Sequence, residues 1–220
     1  MNIMIEENNL IVVNHPVIQS KMTMLRDKDT GTKEFRELVK EISIYLGYEA
    51  LRNAPLVNEK VYTPCGKYKG MVLAHDYAIV PILRAGMGML DGLLQVLPTA
   101  KIGHVGIYRD PESLEPQSYY CKLPELSIGR NYAPYTDVIL LDPMIATGGT
   151  AYETIAKVHQ MGVQNISMIS LVTCPVGVNK IHSDFPFVKI ITAGHDPILN
   201  EDSYIVPGLG DAGDRIFGTK

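Results

Sequence analysis

Asp142 closes the apolar run Val138-Ile139-Leu140-Leu141. A linker of Pro143, Met144, Ile145 and Ala146 leads to the turn Thr147-Gly148-Gly149-Thr150, and a helical pattern follows. That order predicts a buried strand that delivers an acid to a sheet edge, beside a turn that opens a helix. The free N–H groups and the dipole at a helix N-terminus favour a phosphate. The glycines let the backbone approach closely, and the two threonine hydroxyls either add donors or cap the helix. Asp142 is placed to accept hydrogen bonds from sugar hydroxyls, so the segment reads as a ribose-phosphate site. A plain strand-to-helix turn is the competing reading. Two other phosphate motifs do not fit: no Gly-Lys-Ser/Thr follows, and Gly148-Gly149 lacks the spacing of a dinucleotide fingerprint.

Two further stretches carry chemistry. Arg84 follows Val80-Pro81-Ile82-Leu83 and precedes Ala85-Gly86. Its planar, permanently charged guanidinium suits a pair of phosphate oxygens; a surface arginine in a weak salt bridge is the alternative. The tail Tyr204-Ile205-Val206-Pro207-Gly208-Leu209-Gly210-Asp211-Ala212-Gly213-Asp214 is rich in Gly and Asp. Irregular chain of this kind leaves backbone N–H and C=O groups available to a ligand. Asp211 is the side chain here suited to an electrostatic role, with turn formation as the alternative for it and for Asp214. His75, His104, His159 and His182 stand apart from acids and nucleophiles in sequence and read as surface or packing groups.

The elements that must position these residues follow from periodicity. Phe35, Leu38, Val39, Ile42, Tyr45 and Leu46 recur at helical spacing, which predicts a helix over 30–52. Strands are predicted at 78–83, 102–108, 138–141, 166–173 and 188–192, and helices at 86–97, 149–161 and 176–183. The segment from Arg109 to Pro134 is long, polar and rich in proline; a loop or hairpin of that length is usually functional. Strands alternating with helices imply an α/β fold, a parallel sheet with helices on both faces. Ligands then bind at the carboxyl ends of the strands, where all three motifs lie.

The 220 residues fit one domain, and 46% hydrophobic content supports a sizeable core. The net charge of −4 argues against a general nucleic-acid binder. The N-terminus does not read as a signal peptide, and no apolar run has the length of a membrane span. Cys65, Cys121 and Cys174 are odd in number and show no metal-ligand spacing. Free thiols in a reducing cytoplasm are the expectation.

Residues 138–150 resemble the phosphoribosyl pyrophosphate (PRPP) motif of the type I phosphoribosyltransferases. The single acid of Leu141-Asp142-Pro143, where many members carry two, is similar to the uracil branch of that family. The tail 204–220 is similar to that branch's uracil-binding segment, and 80–92 to its pyrophosphate loop. The resemblance runs from about His15-Pro16 to the last residue. It implies a type I phosphoribosyltransferase-like domain over 1–220, with an N-terminal helical arm at about 15–55, a long flexible loop or hairpin, and a small C-terminal hood at about 194–220. The implied reaction joins uracil to PRPP, giving UMP and diphosphate.

By the same resemblance, PRPP is held by Arg84, Arg109, Asp142, Pro143, Met144, Ile145, Ala146, Thr147, Gly148, Gly149, Thr150 and Asp211. Uracil is held by Tyr204, Ile205, Gly210, Asp211 and Ala212, mainly through backbone groups. Asp211 is the candidate catalytic residue. No protein metal site is expected; Mg²⁺ arrives on the substrate diphosphate. A GTP effector, a homodimer or higher homo-oligomer, and His15 in a subunit contact are further implications. The wording His195-Asp196-Pro197 departs from the family and leaves the hood's contacts open. Two rivals remain at this point: a phosphoribosyltransferase for another base, and a uridine-nucleotide-sensing RNA-binding regulator on the same fold.

Overall fold

The computed structural model describes residues 4–7, 9–109, 116–126 and 136–219. The chain begins with strands β1 (Met4–Glu7) and β2 (Leu10–Val13), then helices α1 (Pro16–Arg26) and α2 (Thr32–Ala50). A hairpin of β3 (Leu56–Thr63) and β4 (Gly66–Leu73) leads into β5 (Asp76–Leu83) and α3 (Met87–Val96). Strands β6 (Lys101–Ile102), β7 (His104–Arg109) and β8 (Pro116–Lys122) follow. Next come β9 (Thr136–Leu141), β10 (Met144–Ile145), α4 (Gly149–Gln160), β11 (Ile166–Thr173), α5 (Pro175–Asp184) and β12 (Lys189–His195). The chain closes with β13 (Ile198–Leu199), β14 (Ile205–Val206) and α6 (Ala212–Phe217).

The sheet is parallel through β2-β12-β11-β9-β5-β7 and antiparallel at its two edges, where β1 pairs with β2 and β8 with β7. The predicted parallel sheet is therefore its centre. The β1–β2 edge was missed because its two strands, of four residues each, are too short for periodicity to mark. The β7–β8 pairing makes part of the long polar segment a hairpin.

Side chains alternate across a strand, and this sheet sorts them into two cores. Ile79, Ile139, Leu141, Ile169 and Leu171 face the core shared with α1, α2 and α3. Ala78, Val80, Val138, Leu140 and Met168 face the opposite core, under α4 and α5. Both faces are covered, which explains why these strands read as unbroken apolar runs.

The helices are amphipathic for the same reason. Phe35, Leu38, Val39, Ile42 and Leu46 are all buried on α2, and Ile18, Met22 and Leu25 on α1. His15 caps α1: its Nδ1 accepts from the Val17 N–H at 3.2 Å, and Pro16 occupies the first turn, where no N–H is needed. The expected subunit contact of His15 thus has a local role beside it. The β3–β4 hairpin was not predicted. Neither of its strands has a buried residue, so it shows no inward-facing stripe.

Candidate functional site

Gly86 brings two motifs together. A Cβ on it would lie 2.3 Å from the Leu141 carbonyl and 2.7 Å from the Ile82 N and O atoms. Only a residue without a side chain lets the 84–86 turn press against the end of β9, where Asp142 emerges. The Leu83–Arg84 peptide is cis, and Arg84 is exposed with its guanidinium 5.7 Å from the centre of the Phe217 ring. Among the described residues Arg84 makes this cation–π contact and no salt bridge of the kind weighed from the sequence. Phe217 belongs to α6, and a Cβ on Gly88 would meet Ile216 Cδ1 at 2.9 Å. The pyrophosphate-loop candidate and the C-terminal helix therefore pack on each other.

The turn that opens α4 is fixed with equal tightness. Gly148 is the N-cap in the left-handed region, at φ 77°, and a Cβ on it would sit 2.7 Å from the Gly177 carbonyl. The first N–H groups of any helix lack intrahelical partners, and here the N-cap residue supplies no side-chain cap for them. Pro143 is buried, and its carbonyl accepts from the Leu171 and Val172 N–H groups at 3.0 and 3.1 Å. Those bonds tie the linker to β11 just after Asp142, whose own N–H donates to the Ile169 carbonyl at 3.3 Å.

Asp142, residues 144–151, residues 202–205 and Asp211 line one cleft of about 350 Å³. The sequence-predicted phosphate segment and three of the predicted base-site residues, Tyr204, Ile205 and Asp211, thus share a cavity. Pro143, Gly210, Ala212 and Arg84 are not in this lining. Ala212 is fully buried at the start of α6, and Gly210 is exposed at φ 76°. Arg109 is the last residue of β7, and its side chain lies outside the described residues. Residues 110–115 and 127–135 of the segment after it also lie outside them. Ala151, Asp202 and Ser203 line the cleft and were not predicted. Asp202 and Ser203 sit in a turn between short strands, where no periodicity marks a direction.

Electrostatics single out Asp142. It keeps an accessible edge on the cleft, yet the packing around it pushes its carboxyl up to about 7. Desolvation is the main cause; the Met144 N–H, 3.5 Å from Oδ1, pulls the other way. Asp211 is the N-cap of α6, its Oδ1 accepting from the Asp214 N–H at 2.9 Å. The sequence offered turn formation as its alternative role; the structure makes it a helix cap instead, and the same carboxylate still borders the cleft. His75 lies 3.1 Å from both oxygens of Asp137, an acid 62 positions away in sequence. Sequence spacing had shown no such partner.

The cleft's chemistry suits a hard cation delivered by a ligand. Asp142, Asp202 and Asp211 offer oxygen donors in its wall. Among the described residues no set of three converges as a metal site. One or two carboxylates plus phosphate oxygens and water is the arrangement Mg²⁺ favours.

Comparison with known proteins places the chain in a family. A family model described as uracil phosphoribosyltransferase matches residues 12–219. A uracil phosphoribosyltransferase of Alkaliphilus metalliredigens is 51% identical, across 97% of this chain and 100% of the relative. One from Dictyoglomus thermophilum is 52% identical, across 96% and 100%. The solved structure of the AQ2163 protein from Aquifex aeolicus superposes with a TM-score of 0.89 at 36% identity, covering 96% of this chain and 99% of that one. An adenine phosphoribosyltransferase of Trypanosoma brucei, solved with AMP, pyrophosphate and ribose 5-phosphate, shares the fold at a TM-score of 0.60 and 13% identity, covering 96% of this chain and 92% of that one.

Proposed function

The chain belongs to the uracil phosphoribosyltransferase family, and from that premise we infer the reaction and the residues that carry it. The enzyme joins uracil to the phosphoribosyl group of PRPP and releases UMP and diphosphate. A bond forms between uracil N1 and ribose C1′, the bond from C1′ to the diphosphate oxygen breaks, and the N1 proton leaves. The observation that carries the site assignment is the shared cleft: the Thr147–Thr150 turn, the 202–205 segment, Asp142 and Asp211 all line one cavity.

In this reading Thr147, Gly148, Gly149 and Thr150 take the 5′-phosphate on the N-terminus of α4. Asp142 accepts from the ribose hydroxyls, and Met144, Ile145 and Ala146 shape the floor between, with Pro143 fixing their turn. Arg84 and Arg109 take the diphosphate. Uracil lies against Tyr204 and Ile205, with backbone groups from Gly210 to Ala212 reading its carbonyls and N3–H. Cytosine would present a donor where the site also donates, and an unmatched buried pair rejects it strongly. Asp211 stabilises the positive charge that develops on the ribose ring. The protein's contribution is orientation and fixed charge rather than covalent chemistry. Asp202 and Asp211, both in the cleft wall, would meet the water shell of a diphosphate-bound Mg²⁺, which would supply charge neutralisation of the leaving group.

No helix among the described residues is long and apolar enough to cross a membrane. Cys65, Cys121 and Cys174 are free thiols, which supports a cytoplasmic setting. A homo-oligomer is part of the same reading. Tyr62, Tyr68, Met71 and Leu56 are more than half exposed on the β3–β4 hairpin, a surface suited to a second copy. GTP as an effector rests on the resemblance alone. Regulation through RNA has no support from the family match, and neither does another base.

The test is UMP formation from uracil, PRPP and Mg²⁺, with orotate, hypoxanthine and cytosine in parallel, each with and without GTP. Turnover with uracil alone is expected. Comparable turnover with a second base would overturn the base-site assignment.

A further inference from the structure

Asp196 follows the end of β12 and takes no part in lining the cleft, yet it is only 7% exposed. Its two oxygens meet the two terminal nitrogens of Arg26, the last residue of α1: Nη1 donates to Oδ2 at 2.6 Å and Nη2 to Oδ1 at 2.9 Å. The pair then grips the C-terminal segment. Oδ2 of Asp196 also accepts the Gly208 N–H at 2.9 Å, and Arg26 Nη1 donates to the Gly208 carbonyl at 2.7 Å. Both backbone groups of one residue are thus held by one ion pair.

The surroundings are built for this contact. A Cβ on Gly194 would stand 2.7 Å from Arg26 Nη2, so glycine there makes the slot for the guanidinium. Gly208 itself has φ 59°, and a Cβ on it would lie 2.0 Å from the Ile205 carbonyl. A partly buried ion pair is poor evidence of stability, because desolvation offsets much of its attraction. Its two-pronged geometry does fix orientation. What it orients is the point midway between Ile205 and Asp211, both in the cleft wall.

We propose that Arg26 and Asp196 are positioning residues for the base: they hold Gly208 so that the backbone on either side faces uracil. The proposal rests on the reading of 204–212 as the base site. It also gives His195-Asp196-Pro197, the segment left open by the sequence, a purpose at a distance from the chemistry.

The experiment measures kcat and the KM of uracil and of PRPP separately in Arg26→Lys, Asp196→Asn, the double variant and Gly210→Ala. Lysine keeps the charge without the fork. Each single clamp variant is expected to raise the uracil KM about tenfold and leave the PRPP KM within about twofold, the scale of a lost charge-assisted bond that acts in one place. The double variant is expected to match the worse single one, as for two members of one unit. Gly210→Ala reports on the base site itself. If it raises the uracil KM while the folded clamp variants do not, the proposal fails and the base site stands. If neither does, the base-site reading fails and takes the proposal with it. Equal rises in both KM values, lowered thermal stability with unchanged kinetics, or misfolding of both single variants would each reduce the pair to a structural role and overturn the proposal.

Discussion

Asp142 couples stability to pH because its carboxyl is raised to about 7 from an ordinary 3.8. The folded chain keeps the proton where the unfolded chain has already lost it. Stability from this group is therefore largest at low pH, falls as pH rises between those two values, and levels off above about 7. The ligand-free Asp142→Asn variant is expected to be more stable than wild type at about pH 8 and to lose that advantage at about pH 4; thermal unfolding across pH checks it. Activity has the opposite slope, since the ionised acid accepts ribose hydroxyls best. We expect kcat/KM for PRPP to decline below about pH 7, and Asp142→Asn to lower it about 10- to 100-fold and flatten that limb. Asp211 separates differently, because capping and charge are distinct properties. Asparagine caps a helix as well as aspartate does. Asp211→Asn should therefore keep the melting temperature, while Asp211→Ala costs about 1 kcal/mol. If the charge serves the ribose cation, both variants lose turnover; retention within a few-fold in Asp211→Asn would leave it a cap alone.

At the scale of elements, the turn before α4 carries the ribose-phosphate assignment. Gly148 combines a left-handed φ with a contact that a side chain cannot share. Gly148→Ala is expected to cost about 1–3 kcal/mol of stability through backbone strain. It should also weaken PRPP binding more than uracil binding, which separate KM values would show; equal weakening would argue against the turn as the phosphate site. This element was legible in the sequence because its two requirements, an apolar strand and a glycine turn, are local. The central strands were legible for a similar reason: burial on both faces leaves a continuous apolar run. The Arg26–Asp196 pairing was not: His195-Asp196-Pro197 stood out in the sequence, but its partner lies 170 positions away and nothing local points to it. Asp202 and Ser203 were missed because a turn between two-residue strands has no period to read.

Across the whole molecule, three distant segments meet: the 84–88 turn packs on the end of β9 and on α6, and residues 142–151 share a cleft with 202–205 and Asp211. The opposite character belongs to the β3–β4 hairpin, which projects large apolar side chains without burying any residue of its own strands. Tyr62→Ser with Met71→Ser is expected to shift the chain toward monomer in analytical ultracentrifugation; an unchanged oligomeric state would place the interface elsewhere. The central claim is that one cleft holds a 5′-phosphate and a uracil ring at the same time. Its most direct measurement is a calorimetric comparison of UMP, uridine and CMP binding to the same protein. UMP spans both halves of the cleft, so it is expected to bind at least about 100-fold tighter than uridine, which lacks the charged group for the α4 turn, and than CMP, which mismatches the backbone donors. Uridine or CMP binding as tightly as UMP would contradict the account.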